Sequence, residues 1–356
     1  MDSHLWHRQV NDGKRAPSPQ AWTAHRLDSA PSHEREQYAS AVRRFLRSHP
    51  LHSAKHRHLA TQLDRALAEV EDEPPGARTI ISVSAPFAVG KSTLIKQWGA
   101  DLYRDWVPDS TSDVLPEWSD GAGTRFDLVP IVYVTLMARS KAKDVHGAIL
   151  TFLGYPSRGT TSEITLRTTT ALRNHRVRLL IVDDAHMLHT KSVTGRETLD
   201  ALKQINTELG ELGGTLVLVG ANLTNGPALR DPQIRGRLFE HHLSAYDVAT
   251  VGDAGRWQEM LASAETTMRP YLPDQDSLPA ELAGPIFKRT QGFIGDVSTL
   301  LAGATYNALT AGRTRLERED LAHVQLSSRA HDGETALTTT RSSPGAPAQS
   351  ARRQVS

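Results

Sequence analysis

Thr79-Ile80-Ile81-Ser82-Val83-Ser84-Ala85-Pro86-Phe87-Ala88-Val89-Gly90-Lys91-Ser92-Thr93 is the stretch that decides the fold. Its first six residues read as a strand buried on both faces, and a helical pattern runs on through Asp105. A G-K-S triplet between strand and helix is the setting a phosphate-binding loop of the Walker A type requires. Around Gly90, successive backbone N–H groups turn into an anion cavity at a helix N-terminus. Lys91 reaches the β- and γ-phosphates of ATP as a point charge, and the Ser92 hydroxyl is placed to ligate Mg²⁺. The expected cofactor-binding set is Ala85, Pro86, Phe87, Ala88, Val89, Gly90, Lys91, Ser92 and Thr93. Ala85 stands where the pattern ordinarily has its first Gly, which predicts a slightly tightened loop.

The partner to this loop is Leu179-Leu180-Ile181-Val182-Asp183-Asp184-Ala185-His186, four apolar residues ending in two acids. Parallel strands present ligands at their carboxyl ends, so this strand delivers a carboxylate beside the phosphate loop. Asp183 is the expected Mg²⁺ residue, acting through water because Mg²⁺ keeps several of its waters. Asp184 is the expected base that polarises the attacking water. Paired acids after a strand also serve simply as helix caps; their place in a βα series behind the G-K-S loop favours the catalytic reading.

Further apolar runs at Leu128–Leu136 and Thr215–Val219 alternate with helical patterns such as Glu197–Leu209. That rhythm implies an α/β fold, a parallel sheet flanked by helices. After residue 249 strand signals fade. Trp257, Met260, Leu261 and Ala264 form one helical face, and Phe287, Phe293, Val297, Leu300 and Leu301 belong to another helical region, with Glu317–Val324 closing a small lid. Upstream, Tyr38, Ala41, Val42 and Phe45, then Leu59, Leu63, Leu67 and Val70, recur at helical spacing before Pro74-Pro75-Gly76. The expected organisation is a flexible arm over 1–32, a helical extension over 33–74, the α/β nucleotide-binding domain over 75–248, a helical lid over 249–328 and a disordered tail over 329–356.

The chain has 356 residues, 38% hydrophobic and 23% charged, with a formal charge of +1. It contains no cysteine, which excludes disulfides, thiolate metal sites and Cys nucleophiles. No run approaches the roughly 20 apolar residues that span a bilayer, and Met1-Asp2-Ser3-His4 lacks a signal-peptide layout. A cytoplasmic protein without a membrane partner is expected.

With both acidic and phosphate-loop motifs placed, the chain resembles the AAA+ ATPases, and within them the TniB/TnsC group of transposition ATPases, near ExeA-like and origin-recognition-like P-loop proteins. The resemblance extends through the helix Thr198–Asn206, the strand Thr215–Gly220 and the segment Leu229–Phe239 to the turn Thr290–Leu301. It implies Asn222 as the polar sensor just past a strand; many relatives have Thr one place earlier, at Ala221. It implies Arg237 as an arginine finger, with Arg235 as fallback. Most relatives carry Glu where Asp184 stands, which implies slower hydrolysis. Asp296 occupies the place where the family often has a basic sensor; Arg289 lies six residues earlier.

The resemblance further implies an oligomerising ATPase that assembles with ATP on duplex DNA as a ring or filament. Its partner would be a transposase or other recombination protein. A STAND-type signalling NTPase and a helicase loader are the alternative classes. Basic residues at Arg43, Arg44, Arg47, Lys55, His56 and Arg57 suit either phosphate contact or a solvated face. Arg139, Lys141 and Lys143 suit an inner channel slightly better. Sixteen histidines show no zinc spacing and read as surface or helix-end residues.

Overall fold

The computed structural model describes residues 1–12, 17–49, 51, 53–107, 113–188, 193–223 and 232–342. Its elements, in chain order, are α1 (Ser3–Asp12), α2 (Ala24–Ser29), α3 (Ser32–Ser48), α4 (Ala54–Glu71), β1 (Ile80–Ser84), α5 (Lys91–Trp106), β2 (Glu117–Ser119), β3 (Arg125–Asp127), β4 (Ile131–Thr135), α6 (Ala142–Phe152), α7 (Thr161–Asn174), β5 (Leu179–Asp183), α8 (Val193–Glu211), β6 (Thr215–Gly220), α9 (Pro232–Arg235), β7 (Leu238–His242), α10 (Val251–Met268), α11 (Ala283–Thr290), α12 (Ile294–Thr310), α13 (Arg318–Ala322) and α14 (Ser328–Ser342). They divide into an α/β unit, Met1–Ala16 with His52–Ala245, and a helical unit, Pro17–Leu51 with Tyr246–Ser356.

The α/β unit is built on a five-stranded sheet of order β4-β5-β6-β1-β7. Every pairing in it is parallel, with Ile81 opposite Val217 on one side and Phe239 on the other. Strands β1, β5 and β6 are buried along their whole length, the physical counterpart of their near-continuous apolar runs. The edge strand β7, by contrast, leaves Phe239, Glu240 and His242 exposed. Its weaker apolar pattern follows from that position. A small antiparallel hairpin, β2–β3, adds Trp118 opposite Phe126.

The helical unit packs α3 with α10 and α12. Tyr38, Ala39, Val42 and Leu46 join Trp257, Met260, Leu261 and Ala264, together with Val297, Leu300, Leu301 and Ala304, in one core. Gly292, at φ +75°, is required where α11 turns into α12: a Cβ there would lie 2.1 Å from the Tyr246 carbonyl oxygen. The close approach lets the Tyr246 N–H donate to the Gly292 carbonyl at 2.9 Å.

Three features differ from the sequence expectation. Within 1–32, expected to be a flexible arm, α1 and α2 form, and Trp6 and Val10 are each 3% exposed; residues 13–16 lie outside the described residues. Trp6 stacks on the Tyr133 ring at 5.7 Å and an interplanar angle of 10°. The expected extension over 33–74 is divided, α3 belonging to the helical unit and α4 to the α/β unit. Part of the expected disordered tail is the helix α14, with Ala330 fully buried; residues 343–356 lie outside the described residues. In the first case two apolar residues four apart, Trp6 and Val10, dock a short, largely polar helix together with the buried His7, whose Nδ1 lies 2.8 Å from the Tyr103 hydroxyl. Trp6→Ala is accordingly expected to destabilise the α/β unit by about 3 kcal/mol, measured as a lowered urea midpoint; an unchanged midpoint means that α1 is not docked.

Candidate functional site

The site forms where β1, β5 and β6 end together. Ser84, the last residue of β1, pairs with Gly220 of β6, and Val182 of β5 pairs with Leu218. Between β1 and α5 the loop 85–90 takes left-handed backbone at Ala88 (φ 60°) and Gly90 (φ 81°). Ala85 is not among these positions; its N–H donates to the Gly220 carbonyl at 3.1 Å, an extension of the sheet ladder. A methyl group at that position therefore carries no backbone strain. Gly90 caps α5, so Lys91, Ser92 and Thr93 form its first turn, where amides have no intrahelical acceptor. Lys91 is 7% exposed, Ser92 half-buried and Thr93 exposed, while Phe87 projects outward at 61%.

Lys91 Nζ stands 3.7 Å from Asp183 Oδ1 and 3.6 Å from Asp184 Oδ1. Asp183 is buried at the end of β5, whereas Asp184 reaches solvent. Asp184 adopts φ 54°, and its N–H donates to Asp183 Oδ1 at 2.8 Å. The turn thus presents the two carboxylates in different directions around one ammonium. The other oxygen of Asp183, Oδ2, accepts the Tyr133 hydroxyl from β4. Burial, reinforced by the Asp183 charge, pushes the Tyr133 phenol far above its ordinary pKa, so it stays a donor. Sequence reasoning passed over Tyr133 because it sits inside an apolar strand run and resembles core.

Two histidines also escaped that reasoning. His186 Nδ1 accepts the Ala221 N–H at 3.2 Å and lies 3.9 Å from Asp184 Oδ1. An acceptor Nδ1 places the proton on Nε2, and burial lowers the ring pKa, opposed by the Asp184 charge. His186 thereby bridges the end of β5 to the end of β6, with the Phe87 ring edge-on to it at 5.6 Å. His56 on α4 donates from Nε2 to the Val89 carbonyl at 2.9 Å and holds the phosphate loop from behind. Burial lowers its pKa as well. Neither behaves as the surface histidine expected.

Asn222 follows β6 in a left-handed conformation (φ 48°) and is exposed. Its neighbours are pinned, the Ala221 N–H to His186 and the Leu223 N–H to Ser84 Oγ at 3.0 Å. Asn222 is therefore displayed at the carboxyl end of the sheet, just past β6. Arg237 is not brought there. Its carbonyl accepts the Ile80 N–H at 2.6 Å, at the opposite end of β1. Five residues of strand, about 16 Å, separate that level from the loop, and the Arg237 side chain is exposed, as is Arg235. Of the segment 229–239, residues 229–231 lie outside the described residues.

In the helical unit, Asp296 has a specific structural occupation. It accepts from Ser327 Oγ at 2.9 Å and from Arg329 Nε at 3.2 Å. Arg289 donates to the carbonyls of Leu321 and Val324 and pairs with Glu334 at 3.5 Å. Both groups anchor the chain leading into α14.

Among the described residues no cluster of three or more His, Asp or Glu could hold a metal by itself. Two carboxylates and the Ser92 hydroxyl beside a helix N-terminus suit Mg²⁺, which takes few protein ligands and completes its shell with phosphate and water.

The sequence profile of the bacterial TniB protein family matches residues 44–248. No curated protein matches the chain. Among solved structures, Cdc6p from Pyrobaculum aerophilum superposes with a TM-score of 0.52 at 17% identity, covering 76% of this chain and 66% of that one. The Aeropyrum pernix ORC2 protein, in ADPNP–ADP complexes, gives 0.51 at 17% identity, covering 81% and 70%. This chain spans just under two thirds of the Cdc6p structure, and at such identity the likeness is one of fold. With the profile matching more than half of its residues, the chain belongs to the bacterial TniB protein family and carries the fold of the AAA+ ATPases.

Proposed function

We propose that this protein binds and hydrolyses ATP with Mg²⁺ and assembles with ATP on duplex DNA as a ring or filament, acting with a transposase or other recombination protein. The observation that carries the reading is Lys91 held between Asp183 and Asp184 at the N-terminus of α5, in a chain of the TniB family. Phosphate oxygens entering the loop meet the Lys91 ammonium and the first-turn amides of α5 together. Bound Mg²⁺ would supply charge neutralisation on those phosphates, and Ser92 and Asp183 are the residues to hold it. Both Asp183 oxygens already accept protein donors, which supports contact through water. Asp184, the more exposed acid, keeps solvent access beside Lys91 and His186, which supports a role in orienting a water for attack, with Asn222 as the polar sensor. Lys91→Ala is expected to weaken ATP affinity at least tenfold, and Asp184→Asn to preserve binding while cutting turnover at least tenfold. A fluorescent ATP analogue and a phosphate-release assay measure the two; equal binding by Lys91→Ala and parent rejects the phosphate-loop assignment.

Tyr133→Phe removes one donor from Asp183 without changing ring packing. Because partners that orient a metal-binding group are worth roughly 10–100-fold in metal affinity, the Mg²⁺ concentration for half-maximal analogue binding should rise about tenfold. Binding measured without Mg²⁺ should stay unchanged. An unaltered Mg²⁺ requirement would make Tyr133 a packing residue only.

Arg237 is distant from its own loop and exposed, which supports its reading as an arginine finger that acts on a neighbouring subunit's phosphates. Arg237→Ala should bind ATP normally yet lose turnover and ATP-driven assembly, and mixing it with Asp184→Asn should restore part of the rate. Mixed interfaces can unite an intact finger with an intact base. A normal rate for Arg237→Ala alone removes it from the mechanism, and a subunit that stays monomeric with analogue and duplex, seen by electron microscopy, overturns the assembly reading.

A further inference from the structure

The basic cluster between Arg43 and Arg57 does not act as one face. Lys55 donates to the Ala245 carbonyl at 2.8 Å and His56 to the Val89 carbonyl, both inside the α/β unit. Arg43 and Arg47, one turn apart on α3, instead line a cavity of about 390 Å³ within the helical unit. Its other walls are Thr299, Gly303, Tyr306 and Asn307 on one face of α12 and the segment 323–325 that follows α13.

Each arginine is aimed. The Arg43 guanidinium lies 4.5 Å over the Tyr306 ring, a stacking that leaves its in-plane N–H groups available. Arg47 donates one N–H to Thr299 Oγ1 at 2.8 Å. The far wall is firmly placed too. Gly303 admits it, since a Cβ there would meet the Val324 side chain at 2.7 Å, and Arg289 holds the Val324 carbonyl at 2.7 Å. Among the described residues no Asp or Glu lines the cavity. Glu36, earlier on α3, accepts the Tyr306 hydroxyl at 3.3 Å and is not among the cavity's lining residues. Among the described residues neither Arg43 nor Arg47 has a carboxylate partner.

Two guanidinium groups at i, i+4 repel one another, and every other described side chain around the cavity is neutral or, in His323, basic. A bound anion would remove that repulsion. The planar fork of each arginine matches the oxygens of a phosphate, which accepts two N–H bonds at once. We infer that this cavity is a phosphate-binding site, separate from the nucleotide site, and that it takes backbone phosphates of duplex DNA. The identity of the phosphate carrier rests on the DNA reading above; the preference for phosphate does not. The site also shifts the expected DNA contact from Lys141 and Lys143 to α3. Lys143 is already engaged, donating to the Gly159 carbonyl at 2.8 Å.

The test uses the full chain with its nucleotide site filled by a slowly hydrolysed ATP analogue. Anisotropy of a labelled duplex is followed across a salt series for the parent, for Arg43→Gln/Arg47→Gln, and for Arg44→Gln, an exposed α3 arginine outside the cavity. The double variant should lower the slope of log affinity against log salt by about 2, with at least tenfold weaker binding at low salt and an unchanged thermal midpoint. Arg44→Gln should leave affinity within about twofold. Arg43→Lys/Arg47→Lys, keeping charge without the fork, should recover the slope but only part of the affinity. In parallel, pyrophosphate binding is measured by calorimetry on the same proteins. Loss of pyrophosphate binding with unaltered duplex binding assigns the cavity to a small soluble phosphate. A parent that ignores duplex DNA overturns the DNA reading, and the pyrophosphate arm alone then decides the site. The proposal is overturned if the double variant matches the parent toward both probes.

Discussion

The lysine ammonium between two adjacent carboxylates is the contact on which the site depends, and it constrains the sheet more than the loop. Lys91 meets both Asp183 and Asp184 only if β1 and β5 end at the same height, with β6 between them in register with each. A slip of one residue in β5 would exchange the faces of the strand and put Val182 or Asp184 where Asp183 belongs. Continuous burial of β1, β5 and β6 resists such a slip, because core contacts on both faces would be lost. The apolar runs are thus the means by which two carboxylates are located beneath a phosphate loop.

Around that contact lies a layer of hydrogen-bonding side chains that fixes each member. Tyr133 holds Asp183, His186 joins the turn after β5 to the end of β6, and His56 restrains the loop at Val89. The two histidines, and Trp6 behind Tyr133, also carry a cost. His56 Nδ1, His186 Nε2 and Trp6 Nε1 are buried with no hydrogen-bond partner, and an unsatisfied buried polar atom costs about 1–3 kcal/mol. For His56 and His186 the other ring nitrogen makes a bond that orients the site. Trp6 offsets the cost through its stack on Tyr133, so α1 braces the residue that holds Asp183.

Much of this was legible in sequence. Strands buried on both faces announce themselves as apolar runs, and the G-K-S and Asp183-Asp184 signals fix chain positions to within a residue. What stayed hidden depends on partners distant in sequence. Trp6 lies in a polar stretch, and only the far-off Tyr133 makes it part of the core. Tyr133 itself is indistinguishable from packing until Asp183 is beside it. Edge strand β7, with most side chains in solvent, has no pattern to betray it. Asp296 looked like a reversal of the charge carried by relatives; its partner Arg329 lies in a Ser/Thr/Ala-rich segment where no helix was expected. Local pattern shows burial on a regular element, but not which distant residue supplies the other half of a pair.

The chain order of the two units adds a last constraint. The polypeptide passes between them near residues 16, 51 and 245, so the α3 arm of the helical unit is an insertion into the α/β unit's sequence. Two of the three crossings are tied at short range. Lys55, four residues past the crossing at 51, donates to the carbonyl of Ala245, the last residue before the third crossing. His56, next in sequence, holds the phosphate loop at Val89. On the other side of the third crossing, Tyr246 is locked to Gly292, where no side chain fits. Within the α/β unit, consecutive residues and single hydrogen bonds therefore link Ala245 through Lys55 and His56 to the phosphate loop. Gly292 and Lys55, each within its own unit, are both restricted in kind by what they must meet. One must lack a Cβ, and the other must carry a donor long enough to reach a carbonyl.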